Sequence, residues 1–330
     1  MQVCEKRGIV FRASHSAQGE LYVDAHGLRN SQALITHAHA DHAKATASNK
    51  YYMTPETALL VKPNPMAQFC EVAFGKKFSM GDFSCTFHKS GHILGSAQVE
   101  VVNGSQAVLT SDFKLQKSIL FEGAQILPSE TLIIETTFGT PEYSFPSRDA
   151  VYEDMIRWMH SRLAKKKFIV LGGYSTGKAQ ELTKIVNEFL GETPLVHRRI
   201  FEQNNAYENA GVKLGNYIEL DHNLNEANIL ILPPHMINDH VLLAIEHQIG
   251  KKVEPAIATG WRHHSKYKTF PLSDHADFNG LVEYVKQSSP KMVFTTHGFE
   301  REFASYVSRR MGICAKPLSE AGQTLLSQFG

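Results

Sequence analysis

Cysteine is scarce in this chain. Cys4, Cys70, Cys85 and Cys314 lie far apart and form no CxxC, which argues against a disulfide framework and against a cysteine zinc knuckle. A reducing cytoplasm suits that usage best. Net charge is also missing. Lys+Arg number 34 and Asp+Glu 33, leaving +1 with histidines neutral. Any contact with nucleic acid must therefore come from local basic patches, not from a global field. No apolar run approaches the ~18 residues of a membrane span, and MQVCEKRGIVFRASHS at the N-terminus lacks the apolar core of a signal peptide. Neither a membrane partner nor secretion is expected. Repeats, low-complexity tracts and long Pro/Gly/Ser linkers are absent too. A hydrophobic share of 42% and a charged share of 20% exclude a disordered chain. The residue in excess is histidine, 17 in all.

Two rhythms divide the sequence. Up to about residue 137 it reads as short strands: 21–25, 33–37, 83–89, 97–102, 107–112 and 132–137, with short helices after Asp41 and Pro55. From about 147 strand and helix alternate. Val151, Met155, Trp158, Met159 and Leu163 mark one helix face, 168–173 a strand, 177–190 a helix and 228–234 another strand, the pattern of a parallel α/β unit. After 268 come strand, helix, strand and helix, with Phe278, Leu281, Val282 and Val285 on one face. A strand-rich core interrupted by an α/β insertion follows, with the core at 1–160 and 266–330 and the insertion at 161–265.

Residues 36–42 read THAHADH directly after a strand. His37, His39, Asp41 and His42 share one short loop, and imidazole with carboxylate is the donor set zinc takes. Four donors in six residues exceed what one open site needs, which points to two adjacent ions. Three further strand ends offer His92 in GHILGS, Asp112 in LTSDF and His297 in VFTTHGF. The two oxygens of Asp112 suit a bridge between ions.

With Asp24 upstream, these segments resemble the motifs of the metallo-β-lactamase fold, an αββα sandwich carrying a dinuclear site at its edge. The resemblance implies one ion on His37, His39 and His92, the other on Asp41, His42 and His297, Asp112 between them and Asp24 supporting the loop. It implies two Zn2+, with Mn2+ as the alternative metal. The long interval between Asp112 and His297 carries ETTFG and LSDHADF, where Glu135 and His275 resemble the extra motifs of the β-CASP branch, the nucleic-acid-processing group. The whole set of motifs is similar to ligase-associated DNA exonucleases and to archaeal 3′-end-processing-factor-like proteins. That resemblance implies phosphodiester hydrolysis, with Asp41 at the metals and His275, oriented by Glu135, as proton donor. It implies a single-stranded DNA exonuclease in DNA repair, with a DNA ligase/helicase system as partner. An RNA-processing nuclease and a non-catalytic nucleic-acid-binding paralogue are the alternatives.

Two more segments carry expectations. GGYSTGKAQ nearly matches a P-loop, but Ala179 stands where a hydroxyl should bind magnesium. Ser175, Thr176 and Lys178 at a helix start are instead expected to hold a substrate phosphate. The basic and aromatic run from Trp261 to Lys268, with Arg262 and Lys266, is expected to contact nucleic acid. Ser273, Asp274 and Asp277 read as caps of the following helix.

Overall fold

The computed structural model describes residues 1–13, 19–45, 49–61, 65–221, 223–262 and 266–321. They form two compact units, one of Met1–Leu115, Gly123–Ser144 and His275–Gly330, the other of Gln116–Glu122 and Phe145–Asp274. The boundaries expected at 161 and 265 both fall inside the second unit. Helix Arg148–Ala164 belongs there because Val151, Met155 and Met159 share a core with Ile169, Leu171 and Leu182, and Phe270 joins the same core.

The first unit is built on two sheets. One runs in the order Gln2–Glu5, Ile9–Arg12, Glu20–Val23, Gln32–Leu34, Lys50–Met53, Gln68–Glu71. The other runs Cys314–Pro317, Met292–Gly298, Thr131–Thr136, Ser105–Leu109, Ala97–Asn103, Phe83–Lys89, Lys77–Met80. Alternation along the strands decides what each face buries. Ala107, Leu109 and Ile133 point with Phe83, Phe87 and Val99 toward Phe11, Leu21, Val23 and Leu34 of the first sheet. Val108, Leu132 and Ile134 point the other way, onto Phe278, Leu281 and Val285 of helix Phe278–Ser288. The outer face of the first sheet buries Ala33, Tyr51 and Met53, with Ala58 of helix Pro55–Leu60 against them.

The second unit holds a six-stranded, fully parallel sheet. Phe168–Gly172 and Ile229–Leu232 are buried at every residue, the continuous apolar run of strands covered on both faces.

Several elements differ from the sequence reading. The hairpin Gln2–Glu5/Ile9–Arg12 and the closing strand Cys314–Pro317 were not expected. Among the described residues no helix follows Asp41. The chain turns there instead, with the N–H groups of His42 and Ala43 both donating to the His39 carbonyl.

Candidate metal centre

The first strand that carries the site ends at Leu34, and the next residues fold inward. Ile35, Thr36 and His37 are all buried. His42 is 4% exposed, His92 2% and Asp112 7%, whereas the Asp41 side chain is 72% exposed and His297 is exposed as well. One oxygen of Asp112 gathers the imidazoles. Its Oδ2 lies 3.4 Å from His37 Nε2, 3.7 Å from His92 Nε2 and 3.8 Å from His42 Nε2. His37, His39, His92 and Asp112 each bring a donor atom within 4.8 Å of the others, so the structure brings together the residues expected for the first ion, with Asp112 among them. The second group is looser. The Asp41 carboxylate is 3.7 Å from His42 Nε2, and the His297 ring centroid is 5.3 Å from that of His42.

Local structure explains the placement. Gly95 has φ +75°, and a Cβ there would meet Thr57 N at 2.4 Å. Only glycine lets the loop after His92 close onto helix Pro55–Leu60, where the Gly95 carbonyl accepts from the Thr54 and Thr57 hydroxyls. His297 sits at a bulge. Glu135 pairs with Thr296 and Thr136 with Gly298, so His297 is the extra residue, with φ +57°. Bulges of this kind re-aim a side chain out of the ladder.

The electrostatics favour ligation. His37 Nε2 is buried without a hydrogen-bond partner, an arrangement that costs about 1–3 kcal/mol unless something binds the atom. A metal ion fits it, since nitrogen and oxygen donors converge on one point. Burial, then the neighbouring His42 charge, hold His37 well below the usual imidazole range, so it is neutral and able to ligate. Burial also opposes a charge on His42, but Asp112 and Asp24, the latter through a hydrogen bond as well, outweigh it and raise the ring to about 10. Asp112 is buried, yet His42, then His275, keep its carboxylate well below the usual range.

Beside this cluster His275 Nδ1 lies 3.0 and 3.1 Å from the two oxygens of Glu135. Glu135 is fully buried and accepts from Phe113 N–H at 2.9 Å and from the Thr137 hydroxyl. The His275 ring lies 4.6 Å from that of His92. Asp24 accepts from His42 Nδ1 at 2.8 Å. Thr36, Ser111 and Thr137 were missed by the sequence reading. The signal for two of them was a hydroxyl residue directly before a candidate ligand, His37 or Asp112.

Two expectations are corrected in the second unit. Lys178 is 3% exposed and its ammonium lies 2.8 Å from Asp274, so it does not face a substrate. Gly177 N–H donates to Gln180 Oε1 at 2.6 Å and Ala179 N–H to the Tyr174 carbonyl; the helix start is closed by its own chain. Ser175 and Thr176 lie on that turn, Thr176 donating to Gln203. Ser273 and Asp274 are not caps. The Ser273 carbonyl accepts from Arg148 and Asp274 pairs with Lys178, while Asp277 does cap its helix through Gly280 N–H. Arg262 is exposed, and at the surface Lys266 pairs with Asp239 and Lys268 with Asp154. His263 and His264 lie outside the described residues.

A family model described as the Zn-dependent metallo-hydrolase RNA specificity domain matches residues 264–316, the stretch with His275 and His297. The chain is 32% identical over 315 residues to a probable DNA ligase of Opitutus terrae, covering 92% of this chain and 30% of that protein. It is 21% identical over 347 residues to an RNase J-like protein of Methanocaldococcus jannaschii, covering 83% and 82%. These matches agree with the resemblance to the β-CASP metallo-hydrolases. The chain spans less than a third of the ligase-named relative's length. Its fold also resembles a crystal structure of a protein of unknown function from Enterococcus faecalis V583, with a TM-score of 0.58 and 13% identity over 80% of this chain and 74% of that one.

Proposed function

We propose that the protein is a metal-dependent nuclease that hydrolyses phosphodiester bonds of single-stranded nucleic acid, with DNA as substrate and attack from an end. The observation that carries the reading is the convergence of three imidazole Nε2 atoms on one Asp112 oxygen, one of them buried and unpartnered. In this reading the first unit is the αββα sandwich and the second the β-CASP insertion. His37, His39, His92 and Asp112 would hold one zinc ion, and Asp112, Asp41, His42 and His297 the other. Such ions supply Lewis acidity at a phosphoryl oxygen and lower the pKa of a water. The chain itself supplies the proton. His275 Nδ1 faces Glu135, which leaves Nε2 as the ring atom to protonate the departing oxygen. Glu135, held by Phe113 N–H and Thr137, fixes the ring so that this atom stays available. The alignment over 92% of the chain with a probable DNA ligase supports DNA.

A second reading, RNA as substrate, is favoured by the RNA specificity model over 264–316 and by the RNase J-like relative. End-labelled DNA and RNA of identical sequence separate the two. The expected result is chelator-sensitive shortening of DNA from one end, with RNA cut more slowly. Faster cleavage of RNA would establish the second reading, and no cleavage of either by zinc-loaded protein would overturn both. His275→Ala should be slower by about 10²–10⁴-fold. It should recover most of that loss on a substrate whose leaving oxygen is replaced by sulfur, which departs unprotonated.

A further inference from the structure

Behind the metal ligands lies a set of hydrogen bonds that includes two hydroxyls, those of Thr36 and Ser111, to which the proposed chemistry gives no part. Thr36 is fully buried and Ser111 is 5% exposed. Asp24 accepts from Thr36 N–H at 2.8 Å through Oδ1, and through Oδ2 from the Thr36 hydroxyl at 2.6 Å and His42 Nδ1 at 2.8 Å. Thr36 Oγ1 also lies 2.6 Å from Ser111 Oγ and 3.1 Å from His37 Nδ1. Ser111 Oγ is a longer second contact to the same nitrogen, at 3.5 Å. Asp24 and Ser111 both sit at φ +50°, an unusual backbone for either residue. The backbone is bent to deliver these two side chains to one point.

Counting protons fixes the direction of each bond. A hydroxyl has one hydrogen and two lone pairs. The Thr36 hydrogen goes to Asp24, because a carboxylate has none to give. Thr36 Oγ1 must then accept from both Ser111 and His37. His37 Nδ1 is therefore the protonated ring nitrogen, and Nε2 carries the lone pair. That Nε2 is the buried, unpartnered atom 3.4 Å from Asp112. On the other branch His42 Nδ1–H donates to the same Asp24 oxygen, turning His42 Nε2 toward Asp112 as well.

We infer that Thr36 and Ser111 are positioning residues that fix the His37 tautomer and, through Asp24, tie the supports of His37 and His42 into one unit, presenting both Nε2 atoms to metal. The inference rests on the metal reading above. A support of this kind typically changes metal affinity by about 10–100-fold.

The tautomer is measurable without metal or substrate. Long-range 1H–15N spectra of metal-free protein labelled with 15N-histidine should show His37 with its proton on Nδ1. Thr36→Val removes the main acceptor, and Thr36→Val with Ser111→Ala removes both. The double variant should lose the single Nδ1–H form, and zinc affinity in a chelator competition should fall by about 10–100-fold. Thr36→Ser keeps the hydroxyl and should restore both readouts. Thr36→Val alone, which leaves the longer Ser111 contact in place, is the milder variant should the double one fold poorly, and it should shift both readouts in the same direction by less; parental tautomer and zinc affinity there would overturn the inference. A proton on Nε2 in the parent would overturn the inference. So would a folded double variant with parental tautomer and zinc affinity. Failure of the metal reading looks different: the parent would show the expected tautomer and yet bind no zinc, which would remove the purpose assigned to Thr36 and Ser111.

Discussion

The two units each bury a polar cluster, and the clusters are built on opposite principles. In the second unit Arg148, Lys178, Glu181 and Asp274 balance two positive charges against two negative ones. Arg148 donates to Glu181, to the Tyr152 hydroxyl and to the Ser273 carbonyl, and Lys178 pairs with Asp274. Tyr152 donates to Glu181 and accepts from Ile119 N–H. In the first unit imidazoles crowd one carboxylate oxygen, His37 Nε2 has no hydrogen-bond partner, and Asp24, Ser111 and His297 hold left-handed backbone. A buried cluster whose charges and hydrogen bonds close on themselves is a structural device. One that leaves a nitrogen lone pair buried and converges its donors is prepared for a cation. That contrast, more than the number of polar residues, separates site from scaffold.

The sharpest way to break the comparison is to remove the carboxylate on which the imidazoles converge. Asp112→Ala should lose both ions in elemental analysis and lower activity on the order of 10³-fold or more, since metal contributes several kcal/mol at the transition state. Its circular dichroism should remain that of a folded protein. Full metal content in this variant would show that the convergence on Asp112 is not what binds the ions.

The structural cluster should respond in stability instead. Glu181→Ala leaves Arg148 without its main partner and should cost about 3–5 kcal/mol in denaturant unfolding, with the zinc content of the folded protein unchanged. Replacing the pair by apolar residues, Arg148→Met with Glu181→Leu, should return most of that loss. The double variant should lie level with the parent or up to about 1–4 kcal/mol above it. A double variant as unstable as Glu181→Ala would mean that the ion pair stabilises the fold in its own right.

The sequence discloses these two clusters unequally, for a physical reason. THAHADH is legible because its donors are neighbours in sequence on one loop, and His92, Asp112 and His297 because each lies at or just beyond the end of a strand. Strands 83–89 and 168–172 and the helix from 178 were legible by periodicity. What escaped depends on partners far along the chain. Lys178 reads as a phosphate ligand because strand, glycine and helix are local. Its ammonium is instead taken by Asp274, far along the chain. Ser273 and Asp274 read as caps for the same reason. The bulge at His297 arises from how two strands align, which side-chain pattern does not encode.

The smallest expected effect separates the clusters by pH. His42 is raised to about 10 from an ordinary 6.5, against burial, by Asp112, Asp24 and Asp41. In metal-free protein its charge therefore contributes stability that is complete below pH 6.5 and is lost as pH rises through about 10. Zinc needs the lone pair of Nε2, because Nδ1 is committed to Asp24. Binding at pH 7 to 8 should then release about one proton from His42. Calorimetric zinc titrations in buffers of different ionisation enthalpy count that proton, and affinity should rise with pH over the same range. The zinc-loaded protein should lose the pH dependence of stability assigned to His42. In the other cluster Arg148 supplies the internal contrast: burial opposes its charge, but Glu181 outweighs burial and holds it above its ordinary value, so it stays charged throughout. Zinc binding without proton release at pH 7 would show either that His42 is neutral beforehand or that it does not ligate. The metal-free stability profile distinguishes these, since a neutral His42 would leave it flat between pH 6.5 and 10.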